Sequence, residues 1–102
     1  MSDVEISLSG ELFHPDAAEL LECLKDALDE GGCVVDVSEL EKIEFGPLQV
    51  LVATAAAARS RQVGFEVRMS SENITVLNAL AAHALSPEMI AGSISGSKEL
   101  LG

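Results

Sequence analysis

The chain is 102 residues long, 48% hydrophobic, and carries a formal charge of −11. That length fits one domain with its own core, here 1–102, and that apolar content excludes a disordered chain. So acidic a balance repels phosphate backbones and argues against nucleic acid as a partner.

The charge is unevenly placed. Residues 1–44 carry 13 of the 17 acids against two lysines, and residues 45–102 sum to zero. An acidic half suits a basic protein partner, and equally a solvated face that keeps the chain soluble. The longest apolar run, 47–58, is broken by Gln49 and Thr54 and is too short to insert in a bilayer. The start, Met1 to Glu5, is acidic and unlike a signal peptide, so the cytoplasm is the expected setting. Cys23 and Cys33 have no metal or redox spacing and are expected to be reduced, buried or half-buried thiols.

Taken in order, Val4, Ile6 and Leu8 alternate with Glu5 and Ser7, the period of a strand with one wet face. Gly10 interrupts, and 11–13 continue as a bent or second short strand. His14, Pro15 and Asp16 open a helix, with proline near the first helical position and acids early. Leu20, Leu21, Leu24 and Leu28, with Ala17 and Ala27, form its apolar stripe, and Gly31 and Gly32 stop it. The β-branched run 33–37 reads as a buried strand, and 38–43 as an ordered linker anchored by Leu40 and Ile43.

Gly46 at the N-cap and Pro47 at the first helical position start a second helix, reaching about Arg61. Leu48, Leu51, Val52, Ala55 and Ala58 make its buried face. Gln49, Ala53, Ala56 and Ser60 make another, small and weakly polar, which either packs tightly inside the domain or admits a second helix. Gly64 precedes a strand over 65–69 that closes a βαβ crossover. Residues 70–73 supply caps for a third helix, 74 to about 84, with Ile74, Leu77, Leu80 and Ala81 on one side. Strand and helical turn both stay open for 89–91, and 92–102 reads as a loose tail or short terminal helix.

Reaction chemistry is sparse. There is no glycine-rich phosphate loop, zinc ligand set or nucleophile elbow, so no metal, no cofactor and no catalysis are expected. His14 and His83 lie far apart in sequence and read as structural or exposed groups. Asp36, at the expected end of the central strand, either touches a ligand at a switch point or ties down the following backbone. Ser38, two positions on, favours the second role. A pairing of Asp36 with Glu44 as acid and base finds no pocket signal to support it.

Val34, Val35, Asp36, Val37 and Ser38, a spacer ending in Ile43, then Glu44 through Ala53 together resemble the core of STAS domains of the anti-sigma factor antagonist type. The likeness runs from the opening strand with Gly10, Glu11 and Leu12 through the third helix. It implies a single α/β domain with a mixed four- to five-stranded sheet and helices packed mainly on one face. In that family a loop reading Asp-Ser-Ser-Gly or Asp-Thr-Ala-Gly precedes the helix, and a hydroxyl there accepts phosphate from a partner kinase. Here Glu44 falls on the family's aspartate, Phe45 on the first small residue, Gly46 on the second and Pro47 on the glycine. Gly46 therefore stands at the family's serine or threonine position, and the switch that phosphate's added negative charge would supply is missing.

The resemblance implies a non-enzymatic interaction module of bacterial signalling. Its partner would be a kinase-type anti-sigma factor, a chemotaxis-type assembly or another signalling protein, docked through loop 43–47 and helix 47–60. Asp36, Glu44, Phe45, Gly46, Pro47 and Gln49 are the expected contact residues, with Phe45 the apolar anchor; a homodimer is allowed. One alternative is an accessory STAS subunit bound to the ATPase of a lipid-transport complex. The other is a small-molecule binder using Asp36 and Glu44.

Overall fold

The structure, a computed structural model, describes residues 4–70, 74–83, 85 and 94–95. β1 (Val4–Leu12) leads through α1 (Asp16–Asp29) to β2 (Gly32–Ile43). From there α2 (Phe45–Arg61) leads to β3 (Gly64–Arg68), and α3 (Thr75–Ala82) follows. A two-residue segment, β4 (Ile94–Ser95), pairs with β3. The strands lie side by side in chain order and every pairing is parallel.

The expected mixed sheet of four to five strands is thus corrected to three parallel strands and a two-residue fourth. Gly10 does not divide the first strand: β1 passes through it at φ +71°, a conformation glycine adopts without a Cβ clash. A helix separates each of the three strands from the next, so each connection is a crossover that returns the chain parallel. Right-handed crossovers between strands laid down in order put their helices on one face. Accordingly α1 packs beside α2, and α3 packs on β2 and α2.

The second correction concerns β2. The expected strand 33–37 and linker 38–43 are one strand of 12 residues, paired with β1 along its length. Two register shifts explain the misreading: Ser7 and Ser9 pair with Asp36 and Glu39, and Gly10 and Glu11 with Leu40 and Lys42. Each shift inserts one extra residue in β2, a bulge. Its inward positions therefore step by two through Cys33, Val35 and Val37, then by three to Leu40 and Ile43, all buried. A period-2 template fails on that second half.

The core lies between sheet and helices. Leu24, Val35, Val37, Leu40, Leu48, Leu51, Val67, Val76 and Leu80 are its largest fully buried aliphatic side chains. Several expected core positions fall outside it. Leu21 and Ile74 are exposed, Ala81 is exposed and Val52 is half-buried, whereas Thr54 is buried with its hydroxyl donating to the Val50 carbonyl at 2.7 Å. Cys33 is buried as expected and Cys23 is exposed. Helix α3 is shorter than expected, and its Thr75 hydroxyl donates to the Leu40 carbonyl at 3.0 Å, tying it to β2. The expected caps at 71–73, the segment 89–91 and the tail 92–102 apart from Ile94 and Ser95 lie outside the described residues.

α2 ends on Gln62, which takes the left-handed conformation at φ 60° while the Val63 N–H closes on the Ala58 carbonyl at 3.0 Å. This is a position where glycine normally stands. Gln62 is exposed and carries a strained backbone for an L side chain. Gln62→Gly is expected to raise unfolding stability by about 1 kcal/mol, read as a higher urea midpoint at unchanged slope.

Candidate functional site

Parallel strands end at a common edge, and here Leu12 lies opposite Ile43. The turn after β1 and the single residue that links β2 to α2, Glu44, are consequently neighbours. The Glu44 N–H donates to the Leu12 carbonyl at 2.9 Å, and its Oε1 accepts the His14 N–H at 2.8 Å. One carboxylate thus pins the β1–α1 turn to the start of α2. The turn is held from its other side too, since Asp16 Oδ2 accepts the Phe13 N–H at 2.7 Å. Lys42 Nζ stands 5.4 Å from the centroid of the Phe13 ring, within cation–π range.

The helix entry is shifted from its expected place. Glu44 has extended backbone (φ −82°, ψ 170°) and its carbonyl accepts the Leu48 N–H at 3.0 Å, which makes it the N-cap in place of Gly46. Pro47 falls within the first turn, where a missing N–H costs nothing. The expected loop 43–47 contracts to Glu44 itself.

Four of the six expected contact residues, Glu44 to Pro47, form this entry, and Gln49 is exposed just beyond it. They are not equally available. Pro47 is fully buried and can touch no partner. Phe45 is half-buried, with its ring centroid 4.6 Å from that of His83 at an interplanar angle of 37°. It is a wall of the site rather than a free anchor. Asp36 lies elsewhere: it pairs with Ser7 whereas Ile43 pairs with Leu12, so at about 3.3 Å per strand residue roughly 17 Å of sheet separates it from the end of β2. No acid–base pair of those two forms.

Two residues that sequence reasoning set aside belong here. His83 closes on Phe45, and His14 closes on Gly46. A Cβ on Gly46 would stand 2.7 Å from His14 Nδ1 and 3.5 Å from the Ala17 Cβ, so the imidazole occupies the space a side chain would need. His14 Nε2 is also 3.9 Å from Glu44 Oε1. The available signal was the strand order: once β1 and β2 are parallel neighbours, the residue after one strand must meet the residue after the other.

Asp36 has a structural role. It lies at the first bulge of β2, and its Oδ1 accepts the Ser38 N–H at 2.9 Å. Backbone and hydroxyl bonds from Ser38, helped by the charge of Arg68, hold its carboxyl below the ordinary aspartate value of 3.8 against the opposing effect of burial. Arg68 is its register partner on β3 and also binds Glu5 at 3.1 Å. A carboxylate with a depressed folded-state pKa stabilises the fold above its unfolded pKa and loses that contribution as pH falls through the folded value. Asp36→Ala is therefore expected to cost about 1 kcal/mol at neutral pH. That deficit shrinks in acid below pH 3.8, as urea titrations across pH would show.

The surface beside the entry is the remaining feature of α2. Gln49, Ala53, Ala56 and Ser60 are all exposed, so this face does not pack inside the domain among the described residues. Among the described residues there is no cluster of three or more metal-ligating side chains and no helix long and apolar enough to cross a membrane. The comparisons with known proteins bear on the chain as a whole. A family model described as "Mlab, STAS domain" matches residues 1–84, from the region of β1 to the end of α3. No curated protein matches the chain.

Proposed function

The chain belongs to the STAS domain family, and on that premise we propose that it is a non-enzymatic protein-interaction module of bacterial signalling. It resembles an anti-sigma factor antagonist and docks a partner kinase or other signalling protein through the α2 entry and the exposed face of α2. STAS domains are generally interaction modules, which supports the first part of this reading. The observation that carries the second is the run of exposed side chains at Gln49, Ala53, Ala56 and Ser60, all small apart from Gln49. Such a face lets a partner backbone approach closely.

Gly46 deepens the reading. It stands where the family's phosphorylated hydroxyl is expected, and His14 fills the space beside it. A module without that hydroxyl binds constitutively or is governed from the partner's side. The same absence favours the second reading, an accessory subunit held on the ATPase of a lipid-transport complex, since a fixed subunit needs no switch. Asp36 and Glu44 are too far apart to support the small-molecule reading.

Ala53→Arg tests the docking face, because it adds bulk and charge at an exposed helical position with little cost to the fold. Native extract passed over immobilised wild-type and Ala53→Arg protein is expected to leave a kinase or other signalling protein on the first alone. Recovery of a membrane ATPase instead selects the second reading. Identical retention on both overturns docking through α2.

A further inference from the structure

A second surface lies on the opposite side of the molecule from the α2–β3 contacts, along β1. β1 is an edge strand: it pairs with β2 on one side and, among the described residues, with no strand on the other. Its outer backbone N–H and C=O groups form a row nine residues long, the kind of edge that accepts an added strand. Beside this edge an apolar groove of about 360 Å³ opens between β1 and α1, lined chiefly by Ile6, Leu8, Leu12, Leu20 and Cys23. The β1 side chains on that face are only half-buried, so α1 covers them incompletely.

Charge specifies what fits. The far wall of the groove is the first part of α1, with Asp16 and Glu19 in the lining itself, and Asp26 and the C-cap Glu30 continue that flank of the helix. Their spacing of three, seven and four residues keeps them near one helical face. The helix's single base, Lys25, is half a turn away from that line. An apolar trough between an open strand edge and a wholly acidic ridge matches one chemistry.

We propose that β1 accepts an extended, basic segment of a partner protein by strand addition. The segment's backbone pairs with the β1 edge, and its alternate side chains face the groove, apolar ones filling it while lysines or arginines at its ends, on the same face, reach the α1 ridge. This surface is separate from the α2 face, and either can fail without the other. The acidic ridge steers the encounter, whereas the edge and groove set register.

The probe is a nine-residue peptide of alternating valine and threonine with a lysine at each end, so that valines and lysines share one face of the extended strand. Its controls are a peptide of the same composition with the valines in one block, and one with prolines that remove alternate N–H donors. The alternating peptide is expected to slow hydrogen exchange at β1 amides and to bind at least about tenfold more tightly than either control. Its affinity is expected to fall about tenfold or more in a Glu19→Lys, Asp26→Lys variant, both sites being exposed. Leu8→Lys, at the groove floor, tests the apolar component separately. Equal binding of the block peptide means diffuse attraction to an acidic chain and overturns the proposal. So does protection centred on α2, absence of binding, or protection of β1 that rises with protein concentration alone, which marks a second copy as the occupant.

Discussion

Leu51→Ala is expected to lower the free energy of unfolding by about 3–4 kcal/mol. Leu51 is fully buried on the face of α2 that also places Leu48, Ala55 and Ala58 in the core. α2 packs on α1, β3, α3 and β2, so atoms removed from its inner face leave a hole bounded by several elements that cannot all move inward. The loss is the transfer free energy of the removed methyls together with the residual cavity, and small alanines nearby offer nothing to refill it. A domain of this size holds about 5–15 kcal/mol in all, so this one change removes a large share. Chemical denaturation with an unchanged slope would read it directly. Ala53→Arg, on the exposed side of the same helix, supplies the contrast, with a change within about 0.5 kcal/mol. If the two variants lose similar stability, the assignment of inner and outer faces of α2 is wrong.

That contrast also shows how far the chain's letters carry. The helices were legible because Leu20, Leu24, Leu28 and Leu48, Leu51, Ala55 keep helical spacing, and because Gly31 with Gly32 marks a stop. The first half of β2 was legible from its β-branched run. Its second half was not, since two bulges replace the strand period by steps of three, and steps of three resemble a linker or a helical turn. With that half taken as a linker, Asp36 stands at a strand end, where ligands commonly bind, whereas the structure places it mid-strand. Its expected bond to Ser38 is nevertheless the one the structure contains. For the site, Glu44 through Pro47 were legible as a helix entry, whereas His14 and His83 were not. His14 arrives through strand order, a pairing over about 30 residues, and His83 at the end of α3 through the packing of that helix, neither of which a local pattern encodes.

Gly46→Ala has different expected effects in two backgrounds, and the difference isolates the contact between His14 and the helix entry. In the wild-type chain the new Cβ meets His14 Nδ1 at 2.7 Å, closer than real neighbours stand, so the imidazole must leave. Displacing it breaks its approach to Glu44, but the imidazole is 65% exposed and can swing into solvent, so the cost is expected to be below about 1 kcal/mol and to cancel most of the helix gain. The bond from the His14 N–H to Glu44 belongs to the backbone and remains available to any side chain at position 14. In a His14→Ala background the space is vacant, and alanine inside a helix is favoured over glycine by up to about 1 kcal/mol. Gly46→Ala should then stabilise. The coupling between the two sites is expected to be about 0.5–1 kcal/mol and measures steric exclusion rather than attraction. Should Gly46→Ala shift stability equally in both backgrounds, His14 swings aside without cost and does not guard the position. If the coupling is found, Gly46→Ser in the His14→Ala chain becomes the decisive substrate for the proposed missing switch. It presents a hydroxyl at the family's position in an entry with room to hold one. Its intact mass after incubation with ATP and a partner kinase is expected to rise by one phosphate, where the wild-type mass does not.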